Sequence, residues 1–188
     1  MKKDAVDIAY SPIFESGGEY TLKVSSISSG KPMDYGVIVC QTGTRYASYC
    51  SNIGRTYFVN PTKEKESKYA IAFEAHDAAV KSLVEGSKAS NAYNAALNVL
   101  KQKDENLASK LGKNVGTAIG LEIRDNTQVL SSSNDNILKA GMTFNVALSL
   151  NKLTDETADD ELGKSYAIFI SDTVIVPPAG KPSEVLTV

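Results

Sequence analysis

RYASYCSNIGRTYFV, residues 45–59, decides how this chain is read. Tyr, Ile, Thr and Val recur here at strand length, and the stretch reads as one arm of a β-hairpin running into a second strand. The strand before it is YGVIVCQ, residues 35–41. With the turn placed near Tyr46 and Ala47, Gln41 and Asn52 become cross-strand neighbours whose side chains point to the same side of the sheet. Both are amides and neither can ionise, so the pair predicts a spot built from neutral polar groups.

Outward from this hairpin, the N-terminal third reads as sheet. SPIFESGGEY (residues 11–20) is rich in turn residues, Gly17 and Gly18 fitting a turn better than a phosphate cradle, and TLKVSS (21–26) has strand composition. Asn60-Pro61 then offers an N-cap and an N1 proline. Behind it Tyr69, Phe73, His76, Val80 and Leu83 keep the three-and-four spacing of one helix face until Gly86. A second helix is predicted from Ser90 or Asn91 with Tyr93, Ala96, Leu97 and Leu100 inward, and a third, shorter one over roughly 105–111, closed by Gly112. VGTAIGLEI, MTFNVALSL, SYAIFIS and DTVIVPP return to strand composition, joined by polar connections at 131–136 and 154–164. The order β, α, β predicts an α+β fold with helices on one face of a curved sheet. GVIVCQ with SNIGRTYFV also echoes TFNVAL with ISDTVIV, a resemblance that alternating Val/Ile strands produce by chance as well.

Composition narrows the function. The 188 residues, 42% hydrophobic and 22% charged, suffice for one domain with a real core. The 20 basic and 22 acidic residues are interspersed, which speaks against a summed field that would hold nucleic acid. MKKDAVDIAY lacks an apolar run behind its lysines, and no later stretch approaches the ~20 apolar residues of a membrane span, so a soluble chain without an export signal is expected. Cys40 and Cys50 lie in apolar strands and read as two buried thiols of a reducing compartment rather than a disulfide.

Taken together and in order, YCSNIGRTYFV, VGTAIGLEIRD, LKAGMTFNV and SDTVIV resemble the pita-bread fold of methionine aminopeptidases and proline-specific peptidases. Within that superfamily YSPIFESGGEYTLK, SYCSNIGRTY, GTAIGLEIRD and GMTFNV resemble the peptidase-like N-terminal domain of the FACT histone chaperone large-subunit family, over Val6 to Val176. The active peptidases hold two divalent metals with two aspartates, a histidine and two glutamates. Carried over by motif, the aspartates fall on Gln41 and Asn52, the histidine on Thr117, and the glutamates on Ala147 and Ser171; a further substrate-side histidine falls on Arg124. Two divalent ions in a partly dry cleft require carboxylates to balance them, and one unbalanced charge there already costs several kcal/mol. The resemblance therefore implies a pseudoenzyme with no catalytic residue, metal or cofactor, and vestigial cleft positions Gln41, Asn52, Thr117, Ala147 and Ser171.

For the whole protein the resemblance implies a nuclear, chromatin-associated factor in nucleosome disassembly and reassembly during transcription, replication and DNA repair. Its expected partners are core histones, of either heterodimer pair, or peptide segments. An HMG-box partner subunit would engage through regions outside this chain, and neither direct nucleic acid nor membrane contact is expected. Only ten residues precede SPIFESGG, where the resembled domain has a separate lobe, so residues 1–188 are expected to be a single peptidase-like lobe, excised or truncated. The alternatives are a divergent metallo-aminopeptidase or X-Pro peptidase and an RNA-binding pseudopeptidase.

Three further features have a functional and a plain reading. Glu122, Arg124 and Asp125 beside the former cleft are candidate peptide or histone contacts, or a local ion pair. The acidic loop with Asp155, Glu156, Asp159, Asp160 and Glu161 is read as solvated, although it could meet basic histone surface; KEKESK (63–68) needs nothing beyond solvation. His76, with no serine or cysteine nucleophile motif in the chain, is read as a core-edge histidine with one hydrogen bond.

Overall fold

The computed structural model describes residues 6–158 and 161–187. Eight strands form one sheet in which every pairing is antiparallel. They are β1 (Asp7–Glu15), β2 (Val37–Tyr46), β3 (Tyr49–Phe58), β4 (Gly116–Ala118), β5 (Asp125–Val129), β6 (Thr143–Thr154), β7 (Ser165–Ile175) and β8 (Glu184–Val185). The order across the sheet is β1-β2-β3-β7-β6-β4-β5, with β8 on β7. Helices α1 (Lys63–Lys81), α2 (Ser90–Lys103) and α3 (Glu105–Ser109) lie between β3 and β4 in the chain, α1 against β6 and β7 and α2 against α1. The α+β class with an antiparallel sheet and packed helices is thus as expected. Among the described residues no helix is long and apolar enough to cross a membrane.

Strand β6 shows how the sheet divides its two faces. Phe144, Val146, Leu148 and Leu150 are fully buried in the core with the helices, while Asn145, Ala147, Ser149 and Asn151 are partly exposed on the opposite face. Period-two alternation is the reason: consecutive side chains leave a strand on opposite sides. The polar set forms the floor of a cleft.

Several expectations are corrected. The hairpin turns at Ala47–Ser48, both at positive φ (46° and 72°), with Tyr46 opposite Tyr49. Gln41 therefore faces Gly54 and Asn52 faces Gly43, so the two amides are diagonal neighbours. Moving the turn by one residue shifts each pairing by two, which preserves the face.

SPIFE belongs to β1, and the turn begins only at Gly17 and Gly18, while TLKVSS forms no strand. Its backbone is claimed by a side chain: the Glu15 carboxylate accepts from Thr21 N (3.0 Å), Leu22 N (2.9 Å) and Ser26 Oγ (2.8 Å), with Leu22 at φ 56°. The α1 N-cap is Thr62, which accepts from Lys65 N at 3.3 Å, and Asn60 sits left-handed at φ 49° ahead of Pro61.

The buried stripe of α1 is Ala72, Ala75, His76, Ala79 and Val80, continued by Leu83, and Phe73 is 52% exposed. Small alanines let α1 approach its neighbours closely, and Phe73 lies beyond the edge of that stripe. In α2 the fully buried apolar positions are Ala92, Ala96 and Leu100, with Tyr93 and Leu97 half-buried. SYAIFIS and DTVIV are one strand, β7; VGTAIGLEI contributes only the short β4; β5 and β8 were not expected. Both cysteines are free, but only Cys50 is buried.

Asp159 and Asp160 lie outside the described residues. Asp155 is not solvated: it is buried and paired with Lys65 at 2.7 Å, and hydrogen bonds from Lys65 and Thr157 hold its carboxyl down to about 2. Lys65 is accordingly more than a solvated charge at a helix start. Glu161 is exposed and pairs with Lys164 at 2.5 Å.

Candidate functional site: a neutral cleft over the seam of two half-sheets

The hairpins β2–β3 and β6–β7 meet at β3 and β7, where Gly54 opposes Ser171 as the sole backbone pair. Threonines close the seam on both sides of that pair. Thr56 Oγ1 donates to Phe169 O (3.1 Å) and accepts from Phe169 N (2.7 Å); Thr173 Oγ1 donates to Asn52 O (3.0 Å) and accepts from Asn52 N (2.8 Å). Superposing Gly54 on Ser171 in sequence superposes Thr56 on Thr173 and Arg55 on Asp172, so the weak internal echo is a pseudo-two-fold relation with matched contacts. The Arg55 guanidinium crosses that axis to Asp172 (2.7 Å) and also donates to Gly54 O and Ser171 O. Gly54 carries no side chain because a Cβ there would lie 2.3 Å from the Phe169 ring.

Three of the five cleft positions line up across the seam, with Gly54 completing the row. Gln41, Gly54, Ser171 and Ala147 are register partners on β2, β3, β7 and β6, and Thr117 on β4 opposes Asn145 on β6. Asn52 stands one pleat away on β3. Its Nδ2 donates to Ser171 Oγ at 3.2 Å, and Ser171 Oγ donates to Asn145 Oδ1 at 2.5 Å. Tyr10 on β1 reaches across Gly43, its own register partner and that of Asn52, to donate to Asn52 Oδ1. A Cβ on Gly43 would lie 2.7 Å from the Tyr10 ring, so the bond requires glycine there. Burial raises the Tyr10 phenol, which stays a neutral donor. Gln41 is 3% exposed and its Nε2 has no hydrogen-bond partner among the described residues.

Behind Ser171, on the helix side, the chemistry is ionic. Asp172 accepts from Arg55 and from Thr187 Oγ1 (2.8 Å), and His76 Nε2 stands 3.6 Å from its other oxygen. His76 Nε2 is also 3.2 Å from Val146 O, and burial lowers its pKa. Its surroundings match the core-edge reading.

Over the floor lies a cavity of about 320 Å³ lined by Gln41, Thr117, Asn145 and Ala147 and, at its rim, Lys23, Lys110, Lys113 and Arg124. Of the three candidate contacts only Arg124 reaches it. Glu122 is exposed, and Asp125 is turned to its own strand, accepting from Thr127 N (2.8 Å) and Oγ1 (2.7 Å), bonds that lower its pKa. The three form no ion pair with one another among the described residues.

Sequence reasoning missed Tyr10, Asn145 and the three lysines. Asn145 was signalled by its place two residues before Ala147 in an alternating strand; Tyr10 had no signal while β1 was unrecognised.

A pair of divalent ions does not fit this donor set. Asn52 Oδ1 accepts from Tyr10, Ser171 Oγ accepts from Asn52 Nδ2, Ala147 has no donor atom, and the charged residues lining the rim are cationic. Among the described residues no three His, Cys, Asp or Glu side chains gather as metal ligands.

A profile of metallopeptidase family M24 matches residues 1–178. The FACT complex subunit SPT16 of Dictyostelium discoideum is 39% identical over 97% of this chain and 17% of its own length, and that of Arabidopsis thaliana 38% over 94% and 17%. The chain thus spans about a sixth of these relatives. The N-terminal domain of SPT16 from Cicer arietinum superposes with a TM-score of 0.91 at 36% identity, over 97% of this chain and 43% of that one. The X-Pro aminopeptidase of Thermotoga maritima gives 0.79 at 25% identity, over 96% and 47%. The chain belongs to metallopeptidase family M24 and is similar, over nearly its whole length, to the N-terminal domains of SPT16 subunits.

Proposed function

We propose that this chain is a non-catalytic peptidase-like module of a FACT-type histone chaperone. It recognises core histones or peptide segments in nucleosome reorganisation, within a nuclear, chromatin-associated complex whose HMG-box subunit engages other regions of the protein. The carrying observation is the Tyr10–Asn52–Ser171–Asn145 chain of hydrogen bonds. It fills with neutral, mutually bonded groups the spot where the active relatives of this fold need carboxylates to neutralise metal. Similarity to the SPT16 N-terminal domains supports the chaperone assignment.

The test is titration of the chain at physiological salt with each core histone heterodimer, run beside X-Pro and N-terminal Met peptides in the presence of manganese, cobalt or zinc. Saturable histone binding with intact peptides is the expected result. Peptide cleavage, or stoichiometric metal retained after dialysis, would overturn the non-catalytic reading; no response to either heterodimer would overturn the histone reading.

A further inference from the structure

The formal charge of −2 conceals a local imbalance. The cavity rim carries Lys23, Lys110, Lys113 and Arg124, and no Asp or Glu side chain lines it among the described residues. None of the four forms an ion pair among those residues. Glu15 is the nearby carboxylate that shapes the rim, and its charge is spent on Thr21 N, Leu22 N and Ser26 Oγ, the bonds that hold the segment carrying Lys23. Opposite, Gly112 N donates to Ser149 O at 3.0 Å, which ties the segment bearing Lys110 and Lys113 to β6. The cations come from three separate segments, and the fold ties down those that carry Lys23, Lys110 and Lys113.

A second, independent observation lies on the floor. Gln41 is 3% exposed, lines the cavity, and keeps an amide nitrogen without an acceptor among the described residues. A buried N–H left unsatisfied is costly, and a turn of the Gln41 side chain toward the cavity would let an acceptor bound there satisfy it. A cleft with low-dielectric walls and charge of one sign concentrates the opposite charge.

From these we infer that the cleft binds an acidic peptide segment, with a carboxylate seated on the Gln41 amide and further carboxylates on the Lys/Arg rim, and that it rejects lysine-rich tails. A peptide fits better than a nucleic acid strand, because single-strand sites stack bases on several aromatic rings and Phe169 is the only aromatic ring lining this cavity among the described residues. The inference rests on the reading of the cleft as a binding site rather than a hydrolytic one. Histones would then be met on other surfaces.

The experiment is fluorescence anisotropy with the 188-residue chain and three labelled probes: a short peptide alternating Glu and Gly, its Lys/Gly counterpart, and a short oligo-dT. The Glu peptide should bind, more weakly as salt rises, and the Lys peptide should not. Reversing charge with Lys113→Glu plus Arg124→Glu should weaken Glu-peptide binding about tenfold or more while leaving the thermal melt in place, since both side chains are exposed. Gln41→Leu should weaken it about threefold to tenfold.

Equal or tighter binding of the Lys peptide, tighter binding of oligo-dT, no binding of the Glu peptide, or indifference to the charge reversal would each overturn the inference. Mass spectrometry of the recovered Glu peptide separates the two readings. A cleaved peptide sinks the non-catalytic assignment, whereas an intact peptide that never bound sinks only the ligand class.

Discussion

The two faces of the β3–β7 seam treat charge in opposite ways. On the helix side Asp172 is 4% exposed yet ionically satisfied by Arg55, with Thr187 and His76 beside it. On the cleft side, one residue away along the same strand, Ser171 is uncharged and bonded to amides, and among the described residues the Gln41 amide nitrogen and the rim cations have no partner. A charge survives burial only with a partner and hydrogen bonds, and the helix side supplies them. The cleft side holds an unmet donor and, among the described residues, cations without a carboxylate partner, the arrangement from which a binding role is inferred. A face that satisfies its own charge and a face proposed for recognition are thus one sheet thickness apart.

Removing Asp172 is the most damaging way to test that division. Asp172→Ala leaves Arg55 without its carboxylate in a half-buried site and should cost about 3–5 kcal/mol in urea unfolding. A loss below 1 kcal/mol would mean that the helix-side pair is not structural. Gly54→Ala comes next: its methyl would meet the Phe169 ring at 2.3 Å, and displacing the ring should cost about 1–3 kcal/mol.

Asn52→Ala removes acceptor and donor from Tyr10 and Ser171 on the cleft side, for about 1–2 kcal/mol. Gln41→Leu sharpens the contrast most. It deletes an unsatisfied buried amide, so stability should stay within about 1 kcal/mol of the parent or rise, while acidic-peptide binding falls. A large loss of stability would return Gln41 to the structural side.

Acid titration reads the same division through pH. Burial lowers the His76 pKa, so the unfolded chain takes up a proton near pH ~6.5 that the folded chain refuses, and stability declines as pH falls through that value. Asp155 follows the carboxylate rule: with its pKa lowered from 3.8 to about 2, its contribution is intact above the unfolded value and is lost as pH falls from 3.8 to about 2. Urea midpoints across pH should thus fall in two stages, and His76→Asn should reduce the first stage and leave the second.

Much of this architecture was readable from local pattern. The YGVIVCQ and RYASYCSNIGRTYFV strands, the helical stripe around His76 and the alternation of FNVALSL follow from the periods of strand and helix. Where the reading failed, a distant group had claimed the backbone or the side chain. TLKVSS has strand composition, but Glu15 holds its amides; Phe73 keeps helical spacing, but the close contacts of α1 run along alanines; Asp155 sits in an acidic run, but Lys65 lies above it. β1 was lost because Ser11-Pro12 reads as a turn when the pairing strand is not in view.

For the site, residue identity carried the chemistry: amide, hydroxyl and methyl side chains at positions 41, 52, 117, 147 and 171 have no charge to offer, whatever the fold does with them. The tertiary structure alone decided their company. Tyr10 reaches Asn52 from another strand, Arg55 meets Asp172 across 117 positions of chain, and four cations from three segments surround one cavity. Ionisation and hydrogen-bonding capacity belong to each side chain by itself, whereas who satisfies whom depends on strand order and register, which only the packing of the whole sheet sets.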